Sequence, residues 1–200
     1  MKINYDLVLD NIISELDYKP KLLLHSCCGP CSTAVITRLK DYFDVTVYYY
    51  NPNIEPEREY LIRKEEQKRV VKEFGVGFLD CDYENEKFRC ISKGLEDLPE
   101  GGYRCHECFK LRLYKTGVTA KDEGYDYFGT TLTVSPYKNS QVINGIGKEI
   151  ESELGIKYLY SDFKKKEGYK LSIELSKKYG LYRQNYCGCV YSKKQSESMK

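Results

Sequence analysis

The sequence predicts an α/β fold in which helices cover both faces of a parallel sheet. Short apolar runs such as Lys21–His25, typical of strands buried on both faces, alternate with longer segments of helical periodicity. This alternation predicts a three-layer arrangement with a parallel sheet in the middle. The chain has 200 residues, 41% of them apolar, and no repeat or low-complexity linker divides it. We therefore expect one α/β domain over residues 1–200.

Local sequence features support the predicted helices. Apolar residues recur at helical spacing in the first segment, Pro30 suits the first turn of the next helix, and Gly155 is a good C-terminal cap. The predicted helices cover residues 5–16, 31–40, 56–74, 85–93, 108–122, 140–154 and 169–179. The predicted strands cover residues 21–25, 45–50, 76–79, 127–133 and 157–160. The polar sequence at the C-terminus predicts a frayed tail from about residue 191.

Composition and charge exclude some classes of protein. The net charge is +2, so the chain lacks the strongly basic character of many nucleic-acid-binding domains. No run of about 18 apolar residues predicts a membrane span, and the N-terminus has no signal-peptide cleavage site. We therefore expect a cytoplasmic protein whose thiols stay reduced. The lysine and glutamate content leaves open a hyperthermophile, whose intracellular proteins can be rich in disulfides.

Seven of the nine cysteines form three tight groups that only folding can bring together. The groups are Cys27, Cys28 and Cys31; Cys105 and Cys108; and Cys187 and Cys189. Close thiol pairs in an intracellular protein indicate metal binding or redox chemistry. Seven thiols exceed what one tetrahedral zinc or one four-cysteine cluster requires. The surplus therefore predicts a second metal centre.

The number of grouped cysteines predicts a 4Fe-4S cluster beside another metal. A cubane takes four thiolates, which leaves three for one additional iron or another divalent metal, together with a carboxylate ligand. We expect the cluster on Cys28, Cys105, Cys108 and Cys187. We expect the second, catalytic centre on Cys27, Cys31, Cys189 and Asp82, with Asp80 as the alternative carboxylate. A metal that acts as a Lewis acid beside an electron source suits the reduction of a substrate.

Other interpretations of these residues stay open. Cys28 and Cys31 would also suit a thioredoxin-like dithiol or a buried pair. Asp80 and Asp82 would equally suit solvated turn acids. Cys81 and Cys90 are expected to be structural, as buried apolar side chains. His25 suits a satisfied core residue as readily as a metal ligand, and His106 suits an exposed bystander more than a ligand.

Polar residues that follow predicted strands, or that precede the last cysteine pair, are candidates for substrate binding. In open parallel sheets, binding sites form beyond the carboxyl ends of the strands. The candidates are Asn51, Asn53, Thr131, Ser135, Tyr137, Lys138, Arg183 and Gln184. The hydroxyls and the lysine, followed by a helix start, suit an anion such as phosphate. A turn capped by Ser135 and Asn139 explains that part of the sequence equally well.

Six stretches combine the cysteine groups with the polar residues around them. They are LLHSCCGPCS, YYYNPNIEPEREY, EGGYRCHECFKLRL, TTLTVSPYKN, SDFKKKEGY and LYRQNYCGC, and they lie between residues 22 and 189. Together they resemble QueH-type epoxyqueuosine reductases. The resemblance implies an adenine-nucleotide hydrolase-like (HUP-type) fold. Its first β-to-α turn carries cysteines where ATP-pyrophosphatase relatives carry a glycine-rich phosphate loop. Lys164 is a departure, because we would expect an arginine there and lysine lacks the bidentate fork.

The resemblance also implies an activity. The family removes the epoxide oxygen of epoxyqueuosine in the wobble position of a tRNA anticodon, which gives queuosine. It uses an iron–sulfur cluster and an adjacent metal, without cobalamin. We therefore expect an epoxyqueuosine reductase with tRNA as its partner and an unidentified electron donor. Two alternatives are a non-catalytic zinc or redox-sensing metalloprotein and an ATP-dependent tRNA sulfur-transfer enzyme, although the chain lacks an S-G-G-x-D-S-type loop.

Overall fold

Five parallel strands form the central sheet of the computed structural model, which describes residues 2–198. The strands are β1 (Lys21–His25), β2 (Asp44–Tyr48), β3 (Gly77–Leu79), β4 (Tyr127–Thr130) and β5 (Lys157–Tyr158). Their order across the sheet is β3-β2-β1-β4-β5, and every neighbouring pair is parallel. The strand order reverses direction between β1 and β4. In such sheets a crevice forms at the carboxyl ends of those two strands, and it is the usual place for a site.

The described part of the chain contains eight α-helices. They are α1 (Tyr5–Ser14), α2 (Gly29–Leu39), α3 (Glu57–Phe74), α4 (Asn85–Ser92), α5 (Tyr103–Asp122), α6 (Ser140–Leu154), α7 (Gly168–Lys178) and α8 (Val190–Ser198). Helices α1, α2, α3 and α7 belong to one face, and α5 and α6 to the other. Leu22 and Leu24 of β1 pack on the first face and Leu23 on the second, because strand side chains alternate. The predicted three-layer α/β fold is confirmed.

A membrane span is not among these elements: none of the helices within residues 2–198 is long and apolar enough to cross a bilayer.

The structure corrects the predicted boundaries at the carboxyl edge of the sheet. Strands β2, β4 and β5 end two or three residues earlier than predicted, because the residues that follow turn away from the sheet into loops. A short 3-10 helix, Leu132–Val134, follows β4. Helix α5 begins at Tyr103, five residues earlier than predicted, so Cys105 and Cys108 lie on its first turns. This early start places both thiols on a rigid element.

The described C-terminal residues form α8, where the polar sequence alone predicted a frayed tail from about residue 191. The Sγ atom of Cys189 accepts the Ser192 N–H at 3.4 Å, and its carbonyl accepts the Ser192 hydroxyl at 3.1 Å. The rings of Tyr191 and Phe88 pack with centroids 6.2 Å apart. Tertiary contacts therefore stabilise a helix whose own sequence is too polar to predict it.

Candidate metal centre

The turn between β1 and α2 brings three cysteine sulfurs together. The Sγ atoms of Cys27, Cys28 and Cys31 lie within 4.8 Å of one another, and those of Cys27 and Cys28 are 3.9 Å apart. Cys28 immediately precedes α2 and Pro30 lies in its first turn. The thiols are therefore at a helix N-terminus, where negative charge is favoured. We call Cys27, Cys28 and Cys31 the cysteine turn.

Buried hydrogen bonds fix the cysteine turn on both sides. Gln67 of α3 accepts from the Ser26 hydroxyl at 2.7 Å and donates to the Ser32 hydroxyl at 3.0 Å. The Ser26 N–H donates to the Tyr48 carbonyl at 3.0 Å, and the Ser26 carbonyl accepts from the Asn51 amide at 2.8 Å. Ser26, Ser32 and Gln67 are fully buried. The protein itself therefore sets the conformation of the turn.

The three thiols of the cysteine turn share negative charge unequally. Hydrogen bonds from Cys28 and Cys31 hold the pKa of Cys27 well below its usual value. The same hydrogen bonds to Cys27 raise the pKa of Cys28 to about 12 and raise that of Cys31 well above its usual value. These hydrogen bonds favour the thiolate form of Cys27, and a bound cation would favour the thiolate form of all three cysteines.

The other four cysteines line a single cavity. Cys105 and Cys108 are three residues apart on α5, so both side chains lie on one face of the helix. Cys187 and Cys189, which lie between α7 and α8, line the same cavity. Burial raises the pKa of Cys108 to about 12. We call this site the four-cysteine cavity; its lining also includes Asn53, Glu100, Arg104 and Arg112.

The backbone around Gly188 holds the C-terminal cysteine pair in this cavity. Gly188 has φ +130°, a conformation that favours glycine. A side chain there would meet Ile54 at 2.8 Å and Arg63 at 3.1 Å. The Gly188 carbonyl accepts the Glu55 N–H at 2.9 Å, and the Cys187 carbonyl accepts from Arg63 at 3.1 Å. Glycine at this position therefore permits the close approach that positions both thiols.

Two cations act on both groups of thiols. The Lys138 Nζ atom is 3.5 Å from the Cys187 Sγ atom. Burial alone would lower the pKa of Lys138, but negative charge on Cys187 and Cys27 raises it. Arg112 follows Cys108 by four residues on α5 and is buried. Burial would lower the pKa of Arg112 too, and the charges of Cys108 and Cys187 raise it. Both side chains therefore offset thiolate charge.

The structure divides the seven cysteines differently from the predicted ligand sets. Cys28, expected among the cluster ligands, lies with Cys27 and Cys31. Cys189, expected at the second centre, lines the same cavity as Cys187. Sequence spacing does not reveal these directions, because they depend on the tight turn before α2 and on the positive φ of Gly188. The seven thiols are grouped by the fold as three and four.

The expected carboxylate ligand does not join the cysteine turn. Among residues 2–198, no carboxylate lies within 4.8 Å of all three thiols. Asp82 is exposed. Asp80 is also exposed, pairs with Lys64 and accepts the Cys81 N–H at 2.7 Å. Both acids follow the edge strand β3, which β2 separates from β1 and its cysteine turn.

Three of the predicted substrate residues lie beside the cysteines. Asn53 lines the four-cysteine cavity and is buried, and neither polar atom of its side chain has a partner among the described residues. The Thr131 hydroxyl lies 3.7 Å from the Cys27 Sγ atom. Lys138 contacts Cys187, as described above. The free amide of Asn53 is the feature best suited to receive a ligand.

Three other candidates occupy different environments. Asn51 accepts from Arg112 at 3.3 Å and donates to the Ser26 carbonyl, so its amide is used within the protein. Ser135 accepts the Tyr137 N–H at 3.3 Å, as the alternative of a capped turn predicts. The Tyr137 side chain is 80% exposed and is free to meet a partner at the surface. Only this tyrosine of the three remains available to a ligand.

The last two substrate candidates, Arg183 and Gln184, do not line the four-cysteine cavity. Neither does Lys164, the residue that departs from the family pattern. Arg183 is exposed and donates to the Ser176 hydroxyl of α7 at 3.3 Å. The buried carbonyl oxygen of the Gln184 side chain has no partner in the described part of the chain. Lys164 pairs with Asp162 at 2.6 Å. The lysine therefore serves a local ion pair.

His25, Cys81 and Cys90 differ in how deeply they are buried. The buried His25 ring is hydrogen-bonded to the Thr130 hydroxyl at 2.9 Å and to the Tyr50 carbonyl at 3.1 Å, which confirms its structural role. Burial lowers the pKa of His25 to about 3. Cys81 is half-buried. Cys90 is exposed on α4, so the expectation that it is buried is wrong.

Arg104 and Arg112 are site residues that the sequence interpretation missed. Both are buried, line the four-cysteine cavity and belong to the helix that carries Cys105 and Cys108. Arg112 follows Cys108 by four residues, a spacing that places them on one helix face. This spacing was visible within the predicted helix 108–122, whereas Arg104 lies on the part of α5 before residue 108, which the sequence did not predict to be helical.

Comparisons with known proteins identify relatives of this chain. A protein-family profile described as "Epoxyqueuosine reductase QueH" matches residues 22–195. A protein of that name from Staphylococcus epidermidis is 46% identical over 96% of this chain and 85% of its own length. One from Thermotoga maritima is 38% identical over 86% of this chain and 89% of its own length.

A solved structure shares the fold. It is the U34-tRNA thiolase NcsA from Methanococcus maripaludis with its 4Fe-4S cluster, at a TM-score of 0.59 and 13% identity. The match covers 94% of this chain and 67% of that one. At this identity the likeness supports the fold assignment alone.

Proposed function

The chain belongs to the epoxyqueuosine reductase QueH family, and on this premise we propose that it reduces epoxyqueuosine in tRNA to queuosine. The observation that carries the proposal is the convergence of seven cysteines into a three-thiol turn and a four-thiol cavity. The reaction takes two electrons and two protons. Both C–O bonds of the epoxide break, an alkene forms, and the oxygen leaves as water.

The donor sets fit the implied metals. Four thiols around one cavity match the ligand count of a 4Fe-4S cluster, so we assign Cys105, Cys108, Cys187 and Cys189 to the cluster. Three thiols within 4.8 Å of one another suit an additional iron, so we assign the cysteine turn to it. When bound, the cluster supplies single electrons and the iron supplies Lewis acidity. This proposal places Cys28 at the additional iron and Cys189 at the cluster, whereas the sequence alone led us to expect Cys28 at the cluster and Cys189 at the second centre.

The protein's own residues bind and orient the substrate. The unpartnered amide of Asn53 can both donate and accept, so it suits a hydroxyl or an epoxide oxygen brought into the cavity. Lys138 holds a positive charge beside Cys187, where it offsets thiolate charge and attracts an anionic substrate. The exposed Tyr137 ring, next to Lys138, suits stacking on an unpaired base of the anticodon.

The partners follow from this reaction. The substrate is a tRNA that carries epoxyqueuosine, and a separate cytoplasmic donor supplies the two electrons. The net charge of +2 argues that local residues such as Lys138, rather than the charge of the whole surface, bind the phosphates.

The proposal is tested with anaerobically reconstituted protein and epoxyqueuosine-containing tRNA. Product nucleosides are measured by mass spectrometry after addition of a chemical reductant, with and without ATP. Cys187→Ala and Cys189→Ala should each abolish queuosine formation, because each removes a cluster ligand. Cys90→Ala, at an exposed cysteine outside both groups, should keep full activity.

Three results would contradict this function. Full turnover by Cys187→Ala would exclude the assigned cluster as the electron source. Metal binding without product in the unaltered chain would favour a structural or redox-sensing metalloprotein. A strict requirement for ATP would favour a sulfur-transfer enzyme.

A further inference from the structure

Arg112 is a buried cation that lines the four-cysteine cavity. Its side chain is among the most deeply buried of the chain, with 1% of the residue exposed. The Nε atom donates to the Cys108 carbonyl at 3.3 Å, and Nη1 donates to the Asn51 side-chain oxygen at 3.3 Å. Its Nη2 atom has no hydrogen-bond partner among the described residues. The guanidinium is therefore only partly satisfied by the protein.

The negative charges that act on Arg112 come from both cysteine groups. They are those of Cys108, Cys187, Cys27 and Cys105. A buried charge without compensation is unfavourable, so an arginine here indicates that lasting negative charge lies nearby. Asn51 accepts from Arg112 and donates to the Ser26 carbonyl, directly before Cys27. The Asn51 side chain thus connects Arg112, in the cavity lining, with the cysteine turn.

We propose that Arg112 sets the reduction potential of the iron–sulfur centre in the four-cysteine cavity as a fixed positive charge between the two cysteine groups. This role rests on the proposed function, in which those thiols hold the cluster. Each electron that the donor adds makes a thiolate-bound cluster more negative. A neighbouring positive charge stabilises the reduced form and raises the potential. Arg112 is a positioning residue that acts through the cluster.

The test compares Arg112→Gln with Arg112→Lys in the anaerobically reconstituted full chain. Iron and sulfide contents are measured first, and the midpoint potential is then measured by a redox titration followed by electron paramagnetic resonance. Arg112→Gln removes the charge but keeps an amide that can donate to Asn51. It should shift the reduction equilibrium at least tenfold toward the oxidised form, which lowers a one-electron midpoint by about 59 mV.

Two matched variants separate the effect of the positive charge of Arg112 from the effect of its planar guanidinium. Arg112→Lys keeps the charge and loses the planar fork, so its equilibrium should stay within about threefold of the unaltered chain. Arg58→Gln removes an exposed arginine near the start of α3 and should leave the potential unchanged. A potential that falls equally in Arg112→Lys would overturn the charge explanation.

The outcomes distinguish this inference from the function it rests on. An unchanged potential in fully loaded Arg112→Gln overturns the role of Arg112 and leaves the reductase function intact. Absence of a cluster from the unaltered chain contradicts the proposed function instead. If Arg112→Gln does not retain the cluster, Asn51→Asp replaces it, because a carboxylate facing Nη1 offsets the charge. That variant should lower the potential, and an unchanged value there overturns the proposal.

Discussion

The cysteine turn and the four-cysteine cavity hold their thiols in different ways. The turn takes three sulfurs from five consecutive residues, and Gln67 fixes it through two neighbouring serines. The cavity takes two thiols from α5 and two from a segment that follows α7. The first is a local motif, whereas the second exists only when distant parts of the chain are docked together.

The two regions also stabilise thiolate charge differently. In the turn, sulfur-to-sulfur hydrogen bonds lower the pKa of Cys27. In the cavity, burial raises the pKa of Cys108, and compensation comes from Arg112 and Lys138. The cavity therefore depends on more residues outside its ligands. Substitutions at a distance should disturb the cavity more than the turn.

The largest loss of stability is expected from substitution of Arg63, which is buried beneath the C-terminal segment. It pairs with Glu59 at 2.7 Å, donates to the Cys187 carbonyl and lies over the Tyr186 ring, 4.8 Å from its centroid. Arg63→Met leaves Glu59 without its ion-pair partner and should cost about 3–5 kcal/mol of unfolding free energy. Urea denaturation of the reduced apoprotein measures this loss.

Arg58→Met is the control for Arg63. This arginine is exposed on the same helix, so the substitution should change the unfolding free energy by about 0.5 kcal/mol or less. Equal losses from the two substitutions would show that the docking contacts of Arg63 contribute nothing specific.

A smaller and more selective effect is expected at Gly188. An alanine there adopts φ +130° and brings its Cβ atom to 2.8 Å from Ile54, which costs about 1–3 kcal/mol. The strain falls on the cavity and leaves the turn unchanged. Reconstituted Gly188→Ala should lose cluster iron and all sulfide but keep iron on the turn, as measured by metal and sulfide analysis.

Gly145→Ala is the matched control for this strain. A Cβ atom at Gly145 meets nothing within 4 Å, and the residue lies inside α6. Alanine should therefore stabilise the helix by up to about 1 kcal/mol and retain full sulfide. Sulfide loss in both variants would contradict the special role of Gly188.

The same contrast explains how much could be predicted from the sequence. The parallel sheet and the cysteine turn follow from local patterns, namely buried apolar runs and a turn into a helix N-terminus. Which thiols line one cavity did not follow, because this depends on side-chain directions set by tertiary structure. Helix α8 was missed for the same reason, since Tyr191 stabilises it through a distant ring.

A weaker effect, confined to the turn, is expected at Gln67. Gln67→Met removes two buried hydrogen bonds, those with Ser26 and Ser32, and should cost about 1–3 kcal/mol. The loosened turn should lose its additional iron while the cavity keeps its sulfide, the reverse of the Gly188→Ala pattern. Gln141→Met removes two exposed hydrogen bonds to Ile3 and should change neither content. Loss of sulfide in Gln67→Met would show that the two regions are coupled.

The smallest effect is expected at Asp10 of α1, which pairs with Arg38 in the last turn of α2, at the opposite end of that helix from the cysteine turn. Hydrogen bonding from Lys166 lowers the pKa of Asp10 below its usual value, burial opposes this, and Arg38 at 2.9 Å adds to it. A lowered folded-state pKa means that the ion pairs stabilise the fold above about pH 4 and that this contribution is lost as pH falls through the folded-state value. Solvent screening at this half-exposed carboxylate limits the contribution to less than about 1 kcal/mol. The unfolding free energies of Asp10→Asn and the unaltered chain should therefore differ at pH 7 and converge as the pH falls below about 4. They should also converge in 1 M salt, and the iron and sulfide contents should stay unchanged. A difference independent of pH would show that the ionised form of Asp10 does not stabilise the fold.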